Sequence, residues 1–70
     1  MAQGRQRAAG DFINSRFPKG DHAQQQFRMV LNMYLQHGMA EAEAVARATV
    51  SVRDRHPGFT PVEHAPALQR

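Results

Sequence analysis

The side chains that could carry chemistry are scattered along the sequence. Four histidines are present: His22, His37, His56 and His64. No two of them lie four positions apart or beside a cysteine, as a helical zinc site requires. Ser15 and Ser51 have no nucleophile motif around them, and Glu41 and Glu43 would face different directions on a helix. The isolated glycines form no phosphate-binding loop. We therefore expect no enzymatic activity, no metal site and no cofactor.

Length and composition restrict the chain to one small domain over residues 1–70. The sequence has no cysteine and a formal net charge of +3, and eleven of its apolar residues are alanine. A chain this short buries only about 60% of its unfolded surface, so it gains much from a partner. It contains neither an apolar run of about 20 residues nor an apolar segment after its first basic residues. We expect a cytoplasmic protein without membrane contact.

The sequence predicts a first long helix over residues 21–37. Asp21 can cap its N-terminus, and Gln24 completes the pattern of a capping box. The apolar residues recur at helical spacing: Phe27, Val30, Leu31, Tyr34 and Leu35. Gly38 can adopt the left-handed conformation that ends a helix.

A second long helix is predicted over residues 40–55. Glu43 and Arg47 form an i,i+4 pair in its first half, and Pro57 ends it because proline has no N–H group. The inward face is expected to hold Val45, Ala48, Thr49 and Val52. Since the connection between the two helices is short, we expect an antiparallel hairpin.

The flanking segments complete an all-α architecture. A short helix capped by Asp11 is predicted over residues 11–17, after a basic flexible arm at residues 1–10. An extended, proline-containing tail is predicted over residues 57–70. Three apolar residues of this tail could dock on the helices: Phe59, Val62 and Leu68.

The apolar surface of the first long helix is wider than one helix can cover. It spans about 240° of the helical wheel, whereas the second helix presents mainly alanine. We therefore expect a homodimer with a four-helix core, whose interface contains Met29, Val30, Met33 and Val50. In the alternative, the short helix and the tail cover this surface within one chain. In either case the methionines are most simply core packing, or else Met29, Met33 and Met39 form a deformable recognition surface.

Binding to a larger protein is the function that this composition favours. Aromatic residues with arginines are typical of the centres of interfaces. Five residues are predicted to contact the partner: Arg16, Phe27, Arg28, Tyr34 and Phe59. The expected role is that of a stoichiometric inhibitor, anti-activator or adaptor, with a transcriptional regulator among the conceivable partners.

Basic residues concentrate near the ends of the chain. The net charge is +3 over residues 1–20, −1 over residues 21–52 and +1 over residues 53–70. Four arginines there could contact phosphates: Arg5, Arg7, Arg53 and Arg55. The second helix begins with Glu41 and Glu43 and has no Asn or Gln to read bases. A small DNA-associated transcriptional regulator is therefore the alternative function.

The stretch from His22 to His56 resembles a small family of uncharacterised bacterial helical proteins. Members share a glutamine-rich helix start, a Gln-Gly-Met turn and an alanine-rich helix that ends in arginine. The matching residues are Gln24-Gln25-Gln26, Gln36-His37-Gly38-Met39, Glu43-Ala44-Val45-Ala46 and Arg53. Ala40 departs from the family's serine cap, and His37 is an insertion. The resemblance implies a helical hairpin and carries no activity with it.

The chain is also similar, by type only, to small phage-encoded proteins that bind and disable host regulators. Quorum-sensing anti-activators belong to this group, and their shared features are small size, basic charge, abundant alanine and absent cysteine. This likeness implies inhibition of a host protein.

Overall fold

The computed structural model describes residues 10–64, which contain three helices and no strand. Helix α1 covers residues 10–16, α2 covers His22–Gln36 and α3 covers Glu41–Arg53. Turns follow α3 up to residue 58, and residues 59–64 are neither helix nor strand. The all-α prediction is confirmed. Residues 1–9 of the arm predicted over residues 1–10, and residues 65–70 of the predicted tail, lie outside the described residues. Residue 10 belongs to α1, so the arm prediction is wrong at that position.

Local sequence sets both ends of α2. The Asp21 carboxylate accepts a hydrogen bond from the Gln24 N–H at 2.9 Å, as predicted for an N-cap. Gly38 has φ 92° and its N–H donates to the Leu35 carbonyl at 3.0 Å. The Met39 N–H donates to the Tyr34 carbonyl at 3.2 Å, which completes a Schellman motif.

The capping-box prediction for Gln24 is wrong. Its side chain does not return to the Asp21 N–H, and its Oε1 instead accepts the Val62 N–H at 3.1 Å. Gln24 is only 2% exposed, so its carboxamide lies in the protein interior. A tertiary contact with the C-terminal segment has replaced the local one.

Helix α3 is shorter than predicted at its C-terminal end. Ala40 precedes it without a side-chain capping bond, and Arg53 is its last residue rather than Arg55. Pro57 excludes helix only from position 56 onward, and the chain leaves the helix earlier, after Arg53. The predicted pair of Glu43 and Arg47 is present at 3.1 Å on the exposed surface.

Helix α1 includes Asp11 and is described from residue 10 onward. The prediction of Asp11 as the N-cap is therefore wrong, since a cap residue precedes the helix. Ile13 and Phe17 are buried, and Phe12 packs against the core from its edge. The apolar face of α1 thus contributes to the same core as the long helices.

The core lies between α2 and its two neighbours. Its buried apolar members are Ile13, Phe17, Phe27, Leu31, Leu35, Ala44, Ala48 and Val52. The Phe17 and Phe27 rings meet edge to face, with centroids 4.9 Å apart. Helices α2 and α3 pack directly together, and the alanines of α3 permit close approach. Thr49 is also buried, and its hydroxyl donates to the Val45 carbonyl at 2.7 Å.

Candidate protein-interaction surface

Two methionines on α2 are exposed. Met29 and Met33 have relative exposures of 73% and 47%, and they lie one turn apart on the same side of the helix. Val30 is half-buried beside them and packs against the core. We call Met29, Val30 and Met33 the methionine strip. Its residues were predicted to form a dimer interface, and that pairing stays a prediction.

A shallow groove separates Tyr34 of α2 from the outer side of α3. Val50 lines it and is 66% exposed. Ala46 and Arg47 complete the neighbouring wall. Tyr34 is half-buried, so part of its side chain packs on the core while part remains accessible to a partner. The fourth predicted dimer residue, Val50, thus shares a surface with a predicted partner residue.

Residues 57–64 run back over the helices, and we call them the C-terminal strap. The Phe59 ring packs against Phe27 with centroids 5.7 Å apart. Arg53 Nε donates to the Phe59 carbonyl at 2.7 Å and ties the beginning of the strap to α3. Val62 is 60% exposed, so it docks through its backbone rather than its side chain. The remaining predicted docking residue, Leu68, lies outside the described residues.

Arg16 holds the far end of the strap. Its guanidinium pairs with the Glu63 carboxylate, and its backbone carbonyl accepts the His64 N–H at 2.8 Å. The guanidinium carbon also lies 5.6 Å from the centre of the Phe12 ring. Arg16 was predicted to contact a partner. In this structure its guanidinium makes an ion pair and an aromatic contact within the chain.

Two further predicted partner residues have roles inside the protein. Phe27 is fully buried in the core beneath Phe59 of the strap, and its assignment as a partner contact stays a prediction. The helical spacing of Phe27 is compatible with a core position and with a partner contact. Its burial results from packing against Phe17 and Phe59. The Arg28 guanidinium donates to Asn14 Oδ1 and connects α2 to α1. Within the described residues, the buried Nε of Arg28 has no hydrogen-bond partner.

The arginines proposed for nucleic-acid contact are only partly described. Arg53 and Arg55 are exposed near the end of α3, and Arg53 Nε donates a hydrogen bond to the strap. Arg5 and Arg7 lie outside the described residues. Asp54 stands between the two described arginines and is also exposed, which reduces the local positive charge.

The structure brings together two histidines that the sequence patterns did not predict to be neighbours. The imidazole rings of His22 and His56 lie 5.9 Å apart at 68°, although the residues are far apart in sequence. Because antiparallel helices bring the start of one beside the end of the next, the predicted hairpin could have indicated this pair. Across residues 10–64, no three or more His, Asp or Glu side chains are grouped to hold a metal ion.

Comparison with known proteins found no matching family, no matching curated protein and no matching solved structure. The resemblances stated from residue patterns therefore stay predictions. Over the described part of the chain, no helix has the length and apolar character needed to cross a bilayer.

Proposed function

We propose that this protein is a non-enzymatic interaction module that binds a larger protein stoichiometrically. Its helices form an antiparallel hairpin, two copies pair through the methionine strip, and this dimer is the form that binds. The bound protein is inhibited, held inactive as by an anti-activator, or linked to another component as by an adaptor. The setting that we propose is the cytoplasm.

The exposed methionine strip is the observation that carries the proposal. Complete burial of a methionine or valine side chain contributes about 1.5–3 kcal/mol. Met29 and Met33 of the strip, and Val50 of the Tyr34 groove, leave about half or more of that contribution unused in the isolated chain. Methionine also adapts its shape to an apolar surface because its side chain is flexible and polarisable. Burial against protein, here a second copy of the chain, recovers this energy, whereas nucleic acid offers mainly charged and polar surface.

The larger protein is assigned to the surfaces that remain after dimerisation. These comprise the Tyr34 groove and the strap region around Arg16 and Phe59. Arginine and aromatic side chains contribute strongly at interface centres. Phe27 is fully buried beneath Phe59, so a partner contacts it only where Phe59 is displaced.

A nuclease-treated pull-down tests the proposal. The tagged full chain serves as bait in the host lysate, beside Met29→Glu/Met33→Glu and the matched control Ala42→Glu, which adds charge at an exposed position of α3. Wild type and control should retain one protein at a fixed ratio in about 0.5 M salt. The double variant should retain at least about tenfold less, because two carboxylates oppose burial of the strip.

Two results would contradict this function. Recovery of nucleic acid alone, lost with nuclease or with salt, would support the DNA-associated alternative, since phosphate contacts release counterions. Equal capture by the double variant and the control would remove the strip from the binding mechanism. Circular dichroism of all three proteins checks that the helices are retained.

A further inference from the structure

The C-terminal strap lies on the helices in the manner of a bound extended peptide. Two backbone amides, two residues apart, donate to acceptors on the body of the protein: Val62 N–H to Gln24 Oε1 and His64 N–H to the Arg16 carbonyl. Between them, the Glu63 carboxylate pairs with the Arg16 guanidinium. Phe59 supplies the apolar anchor against Phe27. Backbone bonds with alternating side-chain contacts are the usual elements of peptide recognition.

Much of the strap remains exposed although it is docked. Thr60, Glu63 and His64 are exposed, and Val62 is 60% exposed. Phe59 is the half-buried anchor. Gly58, the second residue of the strap, has φ 87°, a left-handed conformation that glycine adopts without steric cost. A segment held by few buried atoms opens more readily than the helical core.

The docking groove has hydrogen-bond donors that the strap does not use. It is lined by Pro18, Gly20, Asp21 and Gln24, with Phe59, Thr60 and Val62 on the strap side. Gln24 is 2% exposed, and its Nε2 has no hydrogen-bond partner within residues 10–64. Arg16, which pairs with Glu63 of the strap outside this lining, has a buried Nε that also lacks a hydrogen-bond partner within residues 10–64. Unsatisfied buried donors are costly, so a ligand with further acceptors would be favoured there.

We propose that this groove is a peptide-binding site and that the strap is its built-in competitor. The occupant is an extended segment of another protein, with an aromatic residue four positions before an Asp or Glu. Its aromatic ring takes the place of Phe59 on Phe27, and its carboxylate takes the place of Glu63 on Arg16. An additional acceptor on this segment satisfies Gln24 Nε2. The inference rests on the proposed protein-binding function and specifies the partner's chemistry.

Competition between strap and peptide gives a direct test. A fluorescein-labelled peptide with the sequence of residues 57–64 is titrated by anisotropy with three full-length proteins: wild type, Phe59→Ala and Glu63→Lys. Opening the strap increases the binding-competent fraction, and the apparent affinity rises in proportion. Both variants should bind the peptide at least about fivefold more tightly than wild type. Glu63→Lys changes only an exposed side chain, so it remains informative if Phe59→Ala fails to fold.

A charge exchange controls for non-specific binding. Arg16→Glu in the Phe59→Ala background should bind the peptide at least about threefold more weakly. This double variant should bind a peptide with Lys in place of Glu63 more tightly than the original peptide. Hydrogen exchange should show faster Val62 and His64 amides in Phe59→Ala, with the core amides of α2 and α3 still protected.

Three results would overturn the inference. The first is equal peptide affinity of wild type and both strap variants, and the second is indifference to the charge exchange. The third is a dimer that persists in Met29→Glu/Met33→Glu and dissociates when unlabelled peptide is added. That result would show that the groove binds the strap of a second copy rather than another protein. Because the titration uses neither lysate nor the methionine strip, its failure is distinguishable from failure of the proposed function.

Discussion

At the scale of single residues, the aromatic side chains divide by burial. Phe27 is fully buried between Phe17 and Phe59, with ring centroids 4.9 and 5.7 Å away. Phe59 is half-buried and reaches the same cluster from the strap. A substitution at Phe27 therefore acts on folding, whereas one at Phe59 acts mainly on the strap.

Truncation of these two phenylalanines should have unequal effects on stability. Phe27→Ala is expected to cost about 3–5 kcal/mol, since it opens a cavity in the centre of the core. A domain of 70 residues has a total stability of only about 4–10 kcal/mol, so this variant approaches unfolding. Phe59→Ala should cost about 1–2 kcal/mol. Urea denaturation followed by circular dichroism measures both, and equal midpoints for the two variants would contradict the assignment.

Residue environments were predictable where they depend on near neighbours. The Asp21 cap involves atoms three residues apart, and its prediction is confirmed. Gln24 obeys the same local pattern but bonds Val62, which is distant in sequence. Helical spacing placed Phe27 on the apolar face, yet it could not distinguish a core ring from one that contacts a partner. The Gln24 hydrogen bond and the burial of Phe27 both depend on which segment packs over the apolar face of α2.

At the scale of elements, the two long helices differ at their N-termini. Helix α2 begins after Asp21, whose side chain satisfies one orphan N–H group. Helix α3 begins after Ala40, which has extended dihedral angles of φ −62° and ψ 148° but no side-chain acceptor. Glu41 and Glu43 favour this end electrostatically without closing the hydrogen bond. The first turn of α3 therefore has an uncapped donor that a single substitution can satisfy.

Substitutions at the two cap positions should move stability in opposite directions. Asp21→Ala is expected to lose about 1 kcal/mol, and Ala40→Ser is expected to gain about 0.5–1 kcal/mol. For a domain of this size, about 1 kcal/mol corresponds to a shift in Tm of about 4–8 °C. Thermal unfolding at one fixed protein concentration measures both. Asp21→Asn serves as the control because it retains an acceptor, and an unchanged Tm in Ala40→Ser would contradict the cap argument.

The positions of the helices were more predictable than their exact ends. Apolar spacing and the Gly38 turn locate α2 to within a residue at each end. Asp11 resembles a cap by residue type, but the backbone around it is already helical. Arg55 lies beyond α3 because the turn toward the strap begins earlier than Pro57 alone requires. The strap's path over the groove is set by tertiary contacts that no short sequence pattern contains.

At the scale of the whole molecule, the chain has more apolar surface than its core uses. Among residues 10–64, eight apolar residues are buried, and three of the large exposed ones lie on α2 and α3: Met29, Met33 and Val50. The strap covers the side of the core around Phe27 and Phe59 and leaves the methionine strip open. The alternative in which the chain covers its own strip therefore has no support in residues 10–64. Pairing with a second copy would bury the strip by a closed, self-complementary contact.

Light scattering at several concentrations should decide whether two copies pair. We expect a molar mass near twice the chain mass of 7.9 kDa at high concentration, with a decrease on dilution. Met29→Glu/Met33→Glu should remain at the monomer mass, because pairing would bury carboxylates in an apolar interface. Ala42→Glu adds charge elsewhere on the surface and should dimerise like wild type. A monomer at every concentration would refute the dimer, and equal dimerisation of the double variant would place the interface on another face.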